Sequence, residues 1–397
     1  MPLSPIKPSE EPAALPPSTR PRLPLDPLLA LAVIGLGLCS VFTLRQATRN
    51  LVPGNPHYYV DRQIIYLVLG GLFMLVLARI DYARLRQFRN AIYAALIISI
   101  LAVLALGHAA RGSTRAINFA FFSFQASELG KVLLIVSLSA FVVERSRSLR
   151  ERDTTVRVMI AALVPAMFVI AQPDLGSGMV YMVVAYVLLF VAGTSWRHLA
   201  ALAALVIVSA AFVLVAAPAA GLNVLKPYQV ARLTAFLHPS SNPEKEGYQQ
   251  QESKIAIGAG QKTGRGANAS QIPNGFVPES QTDFIFAAVG EQYGFAGAAL
   301  VLLLYALLIW RALRILVMSK DLFGTLVAAG VAGMLMFQVF VNVGMTIGIM
   351  PITGVTLPLM SYGGSSVITT LLAVGLLQSI YVQARASAAL KGRVVRN

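Results

Sequence analysis

A single cysteine, four histidines and a charged fraction of only 12% are what this 397-residue sequence offers to redox, metal and surface chemistry. Cys39 lies inside an apolar run, so the chain has neither an intrachain disulfide nor a thiolate metal site. His57, His108, His198 and His238 are far apart in sequence, which argues against a histidine metal cluster. An average soluble domain carries about a quarter charged residues; the shortage here excludes an ordinary soluble enzyme. Acids are scarcest, 17 against 32 Lys and Arg, for a formal net charge of +15. In a soluble chain that balance would suggest nucleic acid. With 56% hydrophobic residues it points to a lipid bilayer and to no nucleic-acid partner. The glycine-rich stretch 258–266 is no nucleotide fingerprint: the third glycine position falls on Thr263, and the Gly-Lys-Ser/Thr ending of a phosphate loop is missing.

What the chain has in quantity is long apolar runs. A bilayer core needs about 20 apolar residues of helix. Ten such runs are predicted, near 28–44, 63–79, 91–107, 125–143, 156–172, 178–193, 199–218, 295–317, 325–345 and 365–383. The expected fold is an all-α polytopic membrane protein of about ten transmembrane helices. A long extracytoplasmic loop, 219–294, joins helices 7 and 8, and a re-entrant-like loop joins helices 9 and 10. Residues 1–27 carry nine prolines and read as a disordered cytoplasmic tail rather than a signal peptide. The ten-helix domain is expected over 28–383, with a basic cytoplasmic tail at 384–397. Ten spans put both termini on one side. That side holds 20 Lys and Arg, against five in the short loops of the other, so both termini are expected in the cytoplasm. No internal repeat is evident, unlike transporters built from two related halves.

Two breaks are too apolar for ordinary loops. Residues 348–366, GIMPITGVTLPLMSYGGSS, interrupt any straight helix with four glycines and two prolines. They read either as a buried loop lining an outward-facing site or as a tight external connection. In 172–178, QPDLGSG, Asp174 suits a cap for the sixth helix as well as it suits catalysis.

Charges inside spans are costly and therefore informative. Glu128 and Lys131 lie three apart at the outer end of the fourth span. They either neutralise each other or line a polar pocket with Arg115 and Arg62, cations that would suit a pyrophosphate. The long loop ends in PESQTDFIFAAVGEQYG, where Ser280 or Thr282 is a candidate helix cap and Asp283 falls in the first turn of a short apolar helix at the membrane surface. Glu291 follows eight residues on, roughly 12 Å along the axis. Asp283 could serve as a general base or simply oppose the helix dipole.

Three segments carry a resemblance: 278–294, 172–178 and NVGMTIGIMPITGVTLPLMSYGGSS at 342–366. Over about 28–383 the chain resembles the SEDS family of membrane glycosyltransferases, which polymerise lipid II into peptidoglycan. GYQQQESKIAIGAG at 247–260 is similar to the RodA branch more than to FtsW. The resemblance implies an outward cavity, an essential aspartate at Asp283, and a class B penicillin-binding transpeptidase as partner. It also implies substrate contacts from Arg62, Arg115, Glu128, Lys131 and Arg232. The family's proline in the Glu128 motif is Ala126 here, and its Arg-Trp is Arg115-Ala116. The implied reaction is inverting transfer from an undecaprenyl-pyrophosphate donor, with Mg2+ or Mn2+ as the expected divalent cation and no covalently bound cofactor; the metal ligands are unknown. A lipid II flippase without chemistry, or a scaffold for the transpeptidase, remains open on the same residues.

Overall fold

The computed structural model describes residues 25–106, 116–118, 122–212, 236 and 246–394. The Pro-rich tail, residues 1–24, and much of the long loop lie outside the described residues. The first apolar run is helix α1, Pro27–Ala47, started by Asp26, whose carboxylate accepts the Leu28 and Leu29 N–H groups ahead of a proline at the first helical position. Then come α2 (Tyr58–Arg79), α3 (Arg89–Leu106), α4 (Ala126–Glu144), α5 (Arg152–Ala171), α6 (Leu175–Val191) and α7 (Trp196–Ala211). Beyond them lie α8 (Glu246–Gly260), α9 (Ile285–Met318), α10 (Leu322–Ile347) and α11 (Gly364–Val394). Eight of these are long and apolar enough to cross a membrane; two shorter apolar helices, 175–191 and 196–209, stand where the sixth and seventh spans were expected. The one departure from all-α among the described residues is a short antiparallel ribbon pairing Ile117 with Phe124 and Asn118 with Ser123. Helix α11 continues to Val394, so its helical backbone extends well past Tyr381 into the basic end of the chain.

Burial sorts the helices. α4, α10 and α11 have about four fifths of their apolar windows buried (78%, 78% and 83%), whereas α2 and α3 have 22% and 17%. The first group is the centre of the bundle. The second turns Ile65, Val68, Leu72 and Ile98 outward, as a lipid-facing surface requires. α2 packs chiefly on α11, α9 on α10 and α1, and α3 on α4.

Glycine permits the closest approaches. A Cβ on Gly130 would collide with the Tyr181 hydroxyl, so Gly130 lets α6 press its tyrosine against α4. The α8 end shows the same logic: Cβ atoms on Gly260 and Gly264 would fall on the Gly290 and Gln292 carbonyls. The glycine-rich stretch that is no nucleotide loop thus packs α8 backbone to backbone against α9.

α9 is two helices joined at Gly294, which holds φ of 61° and ψ of −157°. The second part, from Phe295, coincides with the eighth predicted span. Its first N–H groups, orphaned by the break, donate to α8-side carbonyls: Phe295 to Gln261 at 2.8 Å and Ala296 to Lys262 at 3.0 Å. The first part, 285–293, is packed inside the protein, with Ile285 to Gln292 all buried.

Candidate functional site

The sequence places Asp283 in a first helical turn behind a Ser or Thr cap; the structure corrects this. α9 starts at Ile285, its cap position is Phe284 with no side-chain cap bond, and Asp283 lies in the turn before it. The Thr282 hydroxyl turns back instead, donating to the Glu279 carbonyl at 3.2 Å and carboxylate at 3.1 Å. Glu279 holds positive φ (54°) and its carbonyl accepts the N–H groups of Thr282, Asp283 and Phe284. The turn is therefore wound around one carbonyl.

It is also clamped from outside. Asn342 of α10, fully buried, donates from Nδ2 to the Asp283 carbonyl and to the Val355 carbonyl, both at 2.8 Å. Ser361 donates to the Thr282 carbonyl at 2.6 Å, and the Tyr362 N–H donates to the Gln281 carbonyl at 2.8 Å. The loop 348–363, which has no helix and is largely buried, is the frame that holds the aspartate turn. That loop is itself pinned by polar side chains sent from the helices: Ser40 to the Met360 carbonyl at 2.8 Å, Gln63 to the Ser361 carbonyl at 3.3 Å, and Tyr305 to the Pro358 carbonyl at 2.5 Å. Asp283, half-buried, ends up fixed at its main chain on both sides.

Glu291 has no such placement. It is fully buried and accepts the N–H groups of Ser270, Gln271 and Ile272 at 2.8, 2.7 and 2.9 Å, which makes it the anchor of the preceding loop. Asp174 is the cap of α6, accepting from the Ser177 N–H at 3.1 Å, with Gln125 and Ser127 donating to its other oxygen. Gln125 and Ser123 also meet Ser365, joining the start of α4 to the start of α11.

Glu128 and Lys131 pair directly at 2.7 Å, their side chains 6% and 2% exposed. Arg62 stands elsewhere, over the Tyr58 ring at 4.3 Å, with the Tyr362 hydroxyl as a further partner. Burial raises the pKa of that hydroxyl above the ordinary tyrosine value. Tyr362 also packs edge-on against Tyr59 at 4.8 Å. Arg62 thus reaches the aspartate turn through Tyr362, while its neighbour Gln63 reaches it through Ser361.

Among the described residues, Arg62 is also the one cation on a groove of about 610 Å³ between α2 and α11, walled by Tyr66, Phe73, Phe122, Phe124 and Leu372 and almost wholly apolar. Glu128 and Lys131 do not line it. Arg115 and Arg232 lie outside the described residues. No cluster of three or more His, Cys, Asp or Glu that could hold a metal occurs among the described residues. Asn342, Ser361 and Ser40 were not singled out from sequence. Uncharged polar residues inside apolar runs were the available signal, since each must find a partner there.

The FtsW/RodA/SpoVE family, described as cell cycle proteins, matches residues 24–386. A probable peptidoglycan glycosyltransferase FtsW of Thioalkalivibrio sulfidiphilus is 36% identical, over 92% of this chain and 91% of its own. Peptidoglycan glycosyltransferase MrdB of Escherichia coli is 34% identical, over 90% and 93%. Among solved structures, a chain from a peptidoglycan synthase complex that coordinates polymerization and crosslinking superposes with a TM-score of 0.77 at 30% identity, covering 91% of this chain and 99% of that one. Rod shape determining protein RodA of Thermus thermophilus gives 0.65 at 27% identity, over 92% and 98%. The two branches stand at similar identity and do not separate a shape role from a division role. A multi-helix chain with these motifs, matched over nearly its whole length, belongs to the FtsW/RodA/SpoVE family, the SEDS proteins.

Proposed function

We propose that this protein is a multi-pass membrane peptidoglycan glycosyltransferase, polymerising lipid II at the outer face of the cytoplasmic membrane with both termini inside. The observation that carries the reading is the clamped turn: the frame that fixes the Asp283 main chain also carries Tyr362, the partner of Arg62, and Arg62 is the one cation among the described residues on the apolar groove. A polyprenyl-pyrophosphate has the matching chemistry, a long apolar tail and a compact anion. The named activity of relatives that align over about nine tenths of the chain supports it.

In the proposed step, the 4-hydroxyl of an acceptor sugar attacks the anomeric carbon of the donor. The C–O bond to pyrophosphate breaks with inversion, and Asp283 takes the hydroxyl proton. Arg62 stabilises charge growing on the departing pyrophosphate, an interaction stronger in the transition state than before it. Arg115 and Arg232 are proposed beside it on the family pattern. Glu128 and Lys131 are proposed to act on the substrate side through the α4 end that they stiffen. Mg2+ is commonly held by one or two carboxylates plus substrate phosphates. Glu279, on the same turn as Asp283, is the carboxylate that would help hold a cation arriving with the pyrophosphate, whose charge the cation would neutralise. A class B penicillin-binding transpeptidase is the proposed partner.

Purified Asp283→Asn given labelled lipid II is expected to lose about 10²–10⁴-fold in glycan-ladder synthesis, with lipid II binding retained. Ladders at the unsubstituted rate would overturn the assignment. Transbilayer movement of labelled lipid II without ladders in the unsubstituted protein would make it a flippase.

A further inference from the structure

α4 starts at the Asp283 end, where Gln125 meets Ser365, and ends at Glu144, 19 helical residues later and about 27 Å away. At that far end the approach to α3 and the end of α4 enclose two cavities with a common wall. The first, about 520 Å³, is polar and lined by Ala83, Arg86, Gln87, Arg89, Asn90 and Glu144. The second, about 190 Å³, shares Arg89 and Asn90 and continues past Tyr93, Ser137 and Phe141 toward α5. Its far wall is closed by the Tyr93 hydroxyl, which donates to the Ala161 carbonyl at 2.9 Å.

The charge around this cleft is cationic. Arg89 pairs with Glu144 and lies 5.9 Å from the Phe141 ring; Arg145 stacks on the same ring at 4.2 Å; Arg86 forms no ion pair among the described residues. Three arginines thus surround one acid.

A cationic chamber opening into a narrow, largely apolar slot between membrane helices has the two-part chemistry of a phospholipid, one phosphate and one acyl chain. We propose that the α3–α4 cleft binds an anionic phospholipid of the adjoining leaflet, its phosphate held by Arg86 and Arg89 and the first part of one chain lying in the slot beside Tyr93 and Ser137. Under the orientation proposed above, that leaflet is the cytoplasmic one. Glu144 sets the affinity by holding part of the Arg89 guanidinium. The site is separate from the aspartate turn, so it stands or falls apart from the catalytic reading.

Native mass spectrometry of the full chain in neutral detergent tests it, with phosphatidylglycerol, phosphatidylcholine and inorganic phosphate as probes. Phosphatidylglycerol should bind most tightly. Arg86→Gln should weaken it about fivefold and Glu144→Gln should strengthen it about fivefold, from the worth of one charge at a membrane surface. Both side chains are solvent-facing, so neither change threatens the fold. Ser137→Phe should weaken phosphatidylglycerol and leave phosphate unmoved. Equal binding of phosphatidylcholine, phosphatidylglycerol affinity indifferent to both charge changes, or phosphate as tight as the lipid would each overturn the proposal.

Discussion

The buried polar side chains that shape this molecule are explained by their neighbours, and the Glu128–Lys131 pair is the sharpest case. Removing one partner of a buried pair leaves an uncompensated charge, at a cost of about 3–5 kcal/mol, whereas replacing both with apolar groups of similar shape can be nearly neutral. Lys131→Met should therefore lower the thermal midpoint of the purified protein markedly, and Glu128→Leu/Lys131→Met together should recover much of it. A double variant as unstable as the single one would show that the pair answers to more than itself. If the two residues only stiffen α4, the recovered double variant should also regain glycan synthesis. Asn342 follows a related rule: it directs two Nδ2 bonds to carbonyls of the turn and the loop that meet there. Asn342→Leu should cost about 1–3 kcal/mol from the unpaired carbonyls and reduce the rate of ladder formation more than lipid II binding. An unchanged rate would free Asp283 from that clamp.

Among the elements, helix contacts are set as much by missing side chains as by present ones. α4 and α6 meet where Gly130 leaves room for Tyr181, whose hydroxyl donates to the Ser127 carbonyl at 3.1 Å. Gly130→Ala would overpack this crossing, costing about 1–3 kcal/mol. Adding Tyr181→Phe, which removes the clashing oxygen, should restore part of the loss in a thermal melt; no recovery would place the strain elsewhere. The break in α9 shows why the helix pattern was readable and the turn was not. Periodic apolarity runs through Phe284 to Tyr293 and predicts a short helix. Where that helix begins, and that Ser280 and Thr282 do not cap it, goes with Glu279, whose carbonyl takes the N–H groups of the turn, and with Ser361 and Asn342, which take its carbonyls. Two of those three lie at least 59 residues away in the chain.

For the whole molecule, the ends of the bundle differ in charge, and topology can be checked directly. With Cys39→Ala as background, Gln261→Cys beside α8 should react with a membrane-impermeant maleimide in intact cells, and Ser146→Cys in the α4–α5 connection should react only after permeabilisation. The reverse pattern would invert the orientation and move the Asp283 turn to the cytoplasm. The fold's closure at the opposite end rests on Asp26, fully buried, which caps α1, pairs with Arg311 of α9 and exchanges bonds with Gln378 of α11.

Membrane class, the helical fold and the family motifs were legible in the sequence. Bilayer thickness and the cost of charge in it are local constraints that any apolar run of sufficient length displays. The partner of each buried charge was not legible: Asp174, which suited a cap as well as catalysis, proved to be a cap, and Glu291 proved to be a loop anchor. Nor was the frame of the site, because Ser40, Gln63, Tyr305 and Asn342 converge from four separate helices on the loop that carries Ser361. Residue type and spacing record how each segment meets lipid; which buried donor meets which carbonyl is decided only when the helices pack, since that pairing satisfies groups far apart in the chain.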